Sequence, residues 1–143
     1  MSTDALQSPE STESLRRRGV VIGGVCVCVV ALVAGTVGGT NAATPVGFVG
    51  GLYVAVRGRD LGDEVIAGAL VGTVGSLGFL TVTFLWGLAP LVEALGPAFG
   101  VWVATSGTLK TALVLVPLSA IESSVVGGLL GTLARATGYK PHL

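Results

Sequence analysis

The apolar residues of this chain fall into four runs between Gly19 and Leu133, and most of the polar residues collect in the gaps. The first run, residues 19–39 (GVVIGGVCVCVVALVAGTVGG), holds no charged side chain. It reaches the ~20 residues that a helix needs to cross a bilayer core. The second run is short: even counted from Ala42 it supplies about 15 residues before Arg57, below the usual ~17 minimum. Arg57 and Arg59 could extend it by stretching to the headgroups. The third, residues 65–89, is apolar up to Pro90, and the fourth, residues 109–133, contains Pro117 and Glu122. At ~1.5 Å per residue the fourth exceeds a ~30 Å core, so it should tilt or kink, with Pro117 the expected kink site. The pattern predicts an all-α fold, an integral membrane bundle of four transmembrane helices at about 19–39, 42–57, 64–89 and 109–133. Residues 1–18, with Asp4, Pro9, Glu10 and Glu13, read as a disordered tail, and residues 136–143 as a short one. Glu93, Gly96, Pro97 and Gly100 interrupt residues 91–107, which fits an interfacial, re-entrant or plain loop segment.

Small residues recur at every fourth position inside these runs. Residues four apart lie nearly in line on a helix face. A stripe without side chains lets another backbone come close and gain dispersion contacts that lipid tails cannot match. The first run carries Gly19, Gly23, Ala31, Gly35 and Gly39 on one row, interrupted by Val27. The third carries Gly68, Gly72 and Ser76, and the fourth Ser119, Ser123, Gly127 and Gly131. The expected helix-packing residues are therefore Gly23, Gly35, Gly39, Gly68, Gly72, Ser76, Ser119, Ser123, Gly127 and Gly131. Such rows serve packing within one chain or between copies, so the expected partners are the lipid bilayer and a second copy or another membrane protein. A short echo accompanies them: Val49-Gly50-Gly51-Leu52 leads to Arg57, and Val126-Gly127-Gly128-Leu129 leads to Arg135.

The basic residues give a direction. With four crossings the N-terminus, the 57–64 loop and the C-terminus share one side. That side holds Arg16, Arg17, Arg18, Arg57, Arg59, Arg135 and Lys140, whereas the other holds only Lys110. Arginine and lysine favour the cytoplasmic side, so a multi-pass protein of the cell membrane with both termini cytoplasmic is expected. Trp86 and Trp102 then fall near the outer interface, and Tyr53 and Tyr139 near the inner one. A cleaved signal peptide competes for the first run, with Arg16–Arg18 as its basic region and Thr40-Asn41-Ala42 as a small-residue cleavage site. The length of the run favours retention, because an apolar signal core usually has ~7–15 residues.

Composition narrows the functional classes. Charged residues make up 11% of the chain, and mean hydropathy is +0.84. An average soluble domain carries roughly 25% charge. Eight basic residues balance eight acidic ones, which leaves no positive field for nucleic acid. Cys26 and Cys28 lie two apart in the first run, where they face different directions and lack further ligands for a metal. The single histidine is His142, and there is no H-E-x-x-H, G-x-S-x-G or P-loop. With no nucleophile–base pair visible, no enzyme activity, cofactor or metal is expected. Asp60, Asp63 and Glu64 stand beside Arg57 and Arg59, and the last two acids suit the start of a helix, where free N–H groups and the positive dipole end lie. Glu122 is the candidate for chemistry. A carboxylate in mid-membrane costs at least ~2.5–3.5 kcal/mol on insertion scales, so it must be protonated, paired or hydrated. It is either a proton or cation site or a neutral acid bonded to Ser119, Ser123 or a backbone carbonyl.

The stretch from Pro45-Val46-Gly47-Phe48-Val49-Gly50-Gly51-Leu52-Tyr53 through Gly58-Arg59-Asp60 to Gly68-Ala69-Leu70-Val71-Gly72 resembles small multi-pass membrane proteins of halophilic archaea. Val126-Gly127-Gly128-Leu129-Leu130-Gly131 is similar to their closing helix. The resemblance implies a membrane location and a helical fold, with no assigned activity and no catalytic residues. Two functions are expected from the whole reading. One is a structural or accessory protein that packs with itself or a partner; the other is a small oligomeric channel or transporter that uses Glu122.

Overall fold

A computed structural model describes residues 9–38, 46–57 and 61–138 of the chain. The described residues form four helices and no strands: α1 (Pro9–Gly38), α2 (Val46–Arg57), α3 (Leu61–Leu95) and α4 (Pro97–Ala136). Three are long and apolar enough to cross a membrane, over Arg17–Thr36, Val65–Leu95 and Pro97–Ala136. The described residues are thus all-helical and suited to a lipid environment. α2 has 12 residues, about 18 Å of helix, against a core of ~30 Å. α2 covers 46–57 of the expected 42–57; residues 42–45, with Gly39, lie outside the described residues.

The other helices run past their apolar segments. α1 starts at Pro9, ten residues before the apolar run, where a disordered tail was expected. Proline is pre-set for a first helical turn. The mixed stretch after the third run is also helical. α3 continues through Pro90 to Leu95, and α4 starts at Pro97, so a single residue, Gly96, makes the corner. Gly96 has φ 81°, a value open to a residue without Cβ. Its N–H donates to Val92 O at 2.9 Å, and its carbonyl accepts from Gly100 N–H at 2.9 Å. Pro97 takes the first position of α4, where a missing N–H removes no rung from the ladder. The residues that looked like interruptions in the sequence build a tight corner between two long helices.

Close contacts fix the helix directions. A Cβ added to Gly68 would lie 2.5 Å from Ser123 O, and one on Gly100 would lie 2.7 Å from Leu91 O. α3 and α4 are therefore antiparallel. Gly24 abuts Val74, and Gly78 abuts Cys28, so α1 runs parallel to α3. Gly47 meets Glu122, and Gly51 meets Val126, so α2 runs parallel to α4. The basic residues at the start of α1 and at the ends of α2 and α4 share one end of the bundle. Its interior holds Val27, Val54, Val71, Phe79 and Leu80, with Ser119 and Ser123 buried among them. Leu109, Leu113, Ile121, Val125, Leu129 and Leu133 form an outward row on α4, each at least half exposed and apolar, as a lipid-facing surface requires.

Candidate functional site

The seam between α3 and α4 is built from absent side chains. A Cβ on Gly72 would run into Ser119 O and would come within 2.7 Å of Ser123 Oγ. A Cβ on Gly68 would press on the Ser123 and Ser124 backbone. Because the obstacles are backbone atoms, no rotamer change relieves them, and only glycine lets the two helices approach this closely. Ser76, Ser119, Ser123, Gly127 and Gly131 are all buried. Gly23 faces the Tyr53 ring, and Gly35 has Phe79 at 3.8 Å.

Hydroxyl groups divide into two kinds. Most donate to a carbonyl one turn back in their own helix, as Thr73 does to Ala69 O (2.8 Å) and Ser106 to Trp102 O (2.7 Å). This satisfies the hydroxyl where no water is at hand. Three serines of α4 reach across helices instead. Ser119 Oγ donates to Gly72 O (3.1 Å), Ser123 Oγ to Gly47 O (2.6 Å) and Ser124 Oγ to Val65 O (3.1 Å). Ser124 also lies 2.7 Å from Ala120 O. Together they tie α4 to α2 and α3.

α2 seats its N-terminal turn on this ladder, deep in the bundle. Gly47 lies against Ser119 and Glu122, and Gly50 against Ser123, Val27 and Val71. Glu122 stands thirteen residues from Arg135 and twelve from Lys110 along α4, about 20 Å and 18 Å by helical rise. The first turn of α2 is therefore placed within the apolar length of α4, well away from its ends. A Cβ on Gly47 would lie 2.7 Å from both Cβ and Oε2 of Glu122 and 2.9 Å from Ser119 O. Oε2 is buried and makes no hydrogen bond. The Gly47 backbone faces the carboxyl group without reaching Oε2 in hydrogen-bond geometry. Ser119 and Ser123, expected as possible partners of this acid, use their hydroxyls elsewhere. An unsatisfied neutral polar group costs ~1–3 kcal/mol, and an isolated carboxylate far more.

The remaining sequence candidates are dispersed. Cys26 is exposed, whereas Cys28 lies against Gly78. No group of three or more metal-binding side chains occurs among the described residues. Asp63 and Glu64 belong to the first turn of α3; Arg59, Asp60 and His142 lie outside the described residues. Sequence reasoning passed over Gly47, Gly50, Gly51, Gly75 and Ser124 as contact residues. Gly47 and Gly51 are four apart, so a fourth small-residue row was available in the shortest run. It also treated Val27 as a break in the α1 row, yet Val27 is completely buried. A Cβ on Gly75 would overlap its side chain, and one on Gly50 would lie 3.1 Å from it. Val27 is the knob for which those glycines form the hole. The two copies of the short echo also touch, with Gly51 packed on Val126 and Gly127. Comparison of the chain with family models, curated proteins and solved structures finds no match.

Proposed function

We propose that this is a structural or accessory protein of the cell membrane, which acts by packing with a partner or with itself. The observation behind this reading is the seam of Gly68 and Gly72 on Ser119 and Ser123, where small residues bring helices of one chain into backbone contact. Those faces are occupied within the chain. A partner would therefore meet the outer apolar rows, such as Leu109, Leu113 and Ile121, rather than the glycines. The proposal includes four passes, with α2 completing the second, and both termini cytoplasmic. It also retains the resemblance to haloarchaeal membrane proteins, which adds no activity. Membrane-impermeant labelling of cysteines placed at Ser8, Asp60, Thr137 and Gly96 tests the topology. The first three should react from one side and the fourth from the other; labelling at Asp60 together with Gly96 would overturn it.

The orphaned Oε2 of Glu122 supports a second reading, an ion-linked site in a small channel or transporter. Flux measurements in vesicles separate the two. The accessory reading expects no proton or cation flux above that of empty vesicles. A flux lost in Glu122→Gln would replace it with the second.

A further inference from the structure

We propose that Glu122 is a proton-binding site that excludes metal cations, closed by the N-terminal turn of α2. This inference rests on the second reading above, in which Glu122 exchanges an ion. The size of the space decides which ion. Gly47 packs so closely on the carboxyl group that one added carbon would stand 2.7 Å from Oε2 and from the Glu122 Cβ. A divalent cation gathers about six or more oxygens around itself; of the three atoms nearest to such an added carbon, Ser119 O is the one oxygen besides Oε2. Among the described residues no cluster of three acidic, histidine or cysteine side chains exists to supply the rest. A cavity of about 10 Å³ is lined by Val27, Gly75, Ser76, Phe79 and Ser119, and not by Glu122. It has room for roughly one water, less than a hydrated cation needs. A proton needs no volume. It adds to one carboxylate oxygen to give the neutral acid and leaves by the reverse step.

The charged residues among the described ones lie along the helices away from Glu122. On α4, Lys110 and Arg135 are about 18 and 20 Å away along the helix. On α2 the titratable residues are Tyr53, packed against Gly23 of α1, and Arg57, ten residues beyond Gly47 at the other end of the helix; on α1 Cys28 packs against Gly78 of α3. Arg17 and Arg18 lie at the start of the α1 span, and Glu93 lies near the α3–α4 corner. Asp63 and Glu64 occupy the first turn of α3, more than a turn below the level of Glu122.

Infrared spectroscopy of the full-length protein in lipid nanodiscs tests this directly. The spectrum of Glu122→Gln is subtracted at each pH, because glutamine keeps the shape and removes the acid. The expected difference is a carboxylic-acid C=O band that changes reversibly with pH. At fixed pH it should stay constant when sodium, potassium or calcium is added. Loss of the band on adding a metal ion would overturn the proton assignment and leave the ion-site reading standing. A band that never changes with pH, or no band at all, would overturn both, since Glu122 would then exchange nothing. Gly47→Ala provides a second variant. Its added carbon should shift the pH midpoint of the band while the far-ultraviolet dichroism stays helical; an unmoved midpoint would mean that α2 does not close the site.

Discussion

Adding one carbon at Gly72 should separate α3 from α4. The Cβ of Gly72→Ala would meet Ser119 O and C and Ser123 Oγ at distances well under ordinary contact. Two of these atoms belong to the backbone, so relief requires the helices to move apart by roughly 1 Å over a turn. Overpacking of this kind costs ~1–3 kcal/mol. The Ser119 Oγ to Gly72 O hydrogen bond, 3.1 Å long, would also weaken. In membrane helices such a bond contributes ~0.6 kcal/mol on average. Against this, alanine is a better helix former than glycine by ~1 kcal/mol. Gly87→Ala isolates that propensity gain, because Gly87 lies on the same helix with nothing within 4 Å of an added Cβ. The two variants share the propensity term, so the difference between them should be about 1–3.5 kcal/mol, with Gly72→Ala the less stable. Reversible unfolding in mixed micelles, followed by helical dichroism, measures both. Equal stability of the two variants, or a reversed order, would refute the account of the seam.

Val27→Ala should lose about 1–2 kcal/mol by emptying the space between Gly50 and Gly75, whereas Val25→Ala, at a side chain 56% exposed, should change little; the same unfolding assay compares them. Ser123→Ala removes the donor to Gly47 O and should cost about 1 kcal/mol. Its effect should be local, with faster hydrogen exchange at the amides of α2 than at those of α3, and uniform acceleration across the bundle would contradict that view.

Much of the fold was legible because membrane spans follow from length and polarity alone. The runs at 64–89 and 109–133, and the described part of 19–39, lie inside long helices, since a largely apolar stretch of that length has few other stable forms in lipid. The α3–α4 corner was less legible. Gly96 and Pro97 suggested a broken segment, and only the backbone reveals that one puts a positive φ between two helices while the other opens the second. α2 shows a different limit. Its shortness was visible in the sequence, but its seat on Glu122 depends on how Gly47 and Gly51 meet α4, a long-range pairing that no local pattern specifies. Val27 looked like a flaw in a glycine row because a row read on one helix hides the holes on its neighbours. Glu122 stood out through its charge alone; that Ser119 and Ser123 would serve carbonyls of α3 and α2 could not be read from their spacing.

The central claim is that small residues close this bundle within a single chain. Gly78→Cys tests it most directly, because a Cβ at that position would lie 3.5 Å from the Cβ of Cys28. Disulfides form across Cβ separations of about 3.5–4.5 Å. In a Cys26→Ala background, mild oxidation in nanodiscs should link Cys28 to the introduced thiol within one chain, seen as an oxidised monomer whose peptides from α1 and α3 are joined. Free thiols after oxidation, or a covalent dimer in place of the linked monomer, would contradict the packing of α1 on α3 described above.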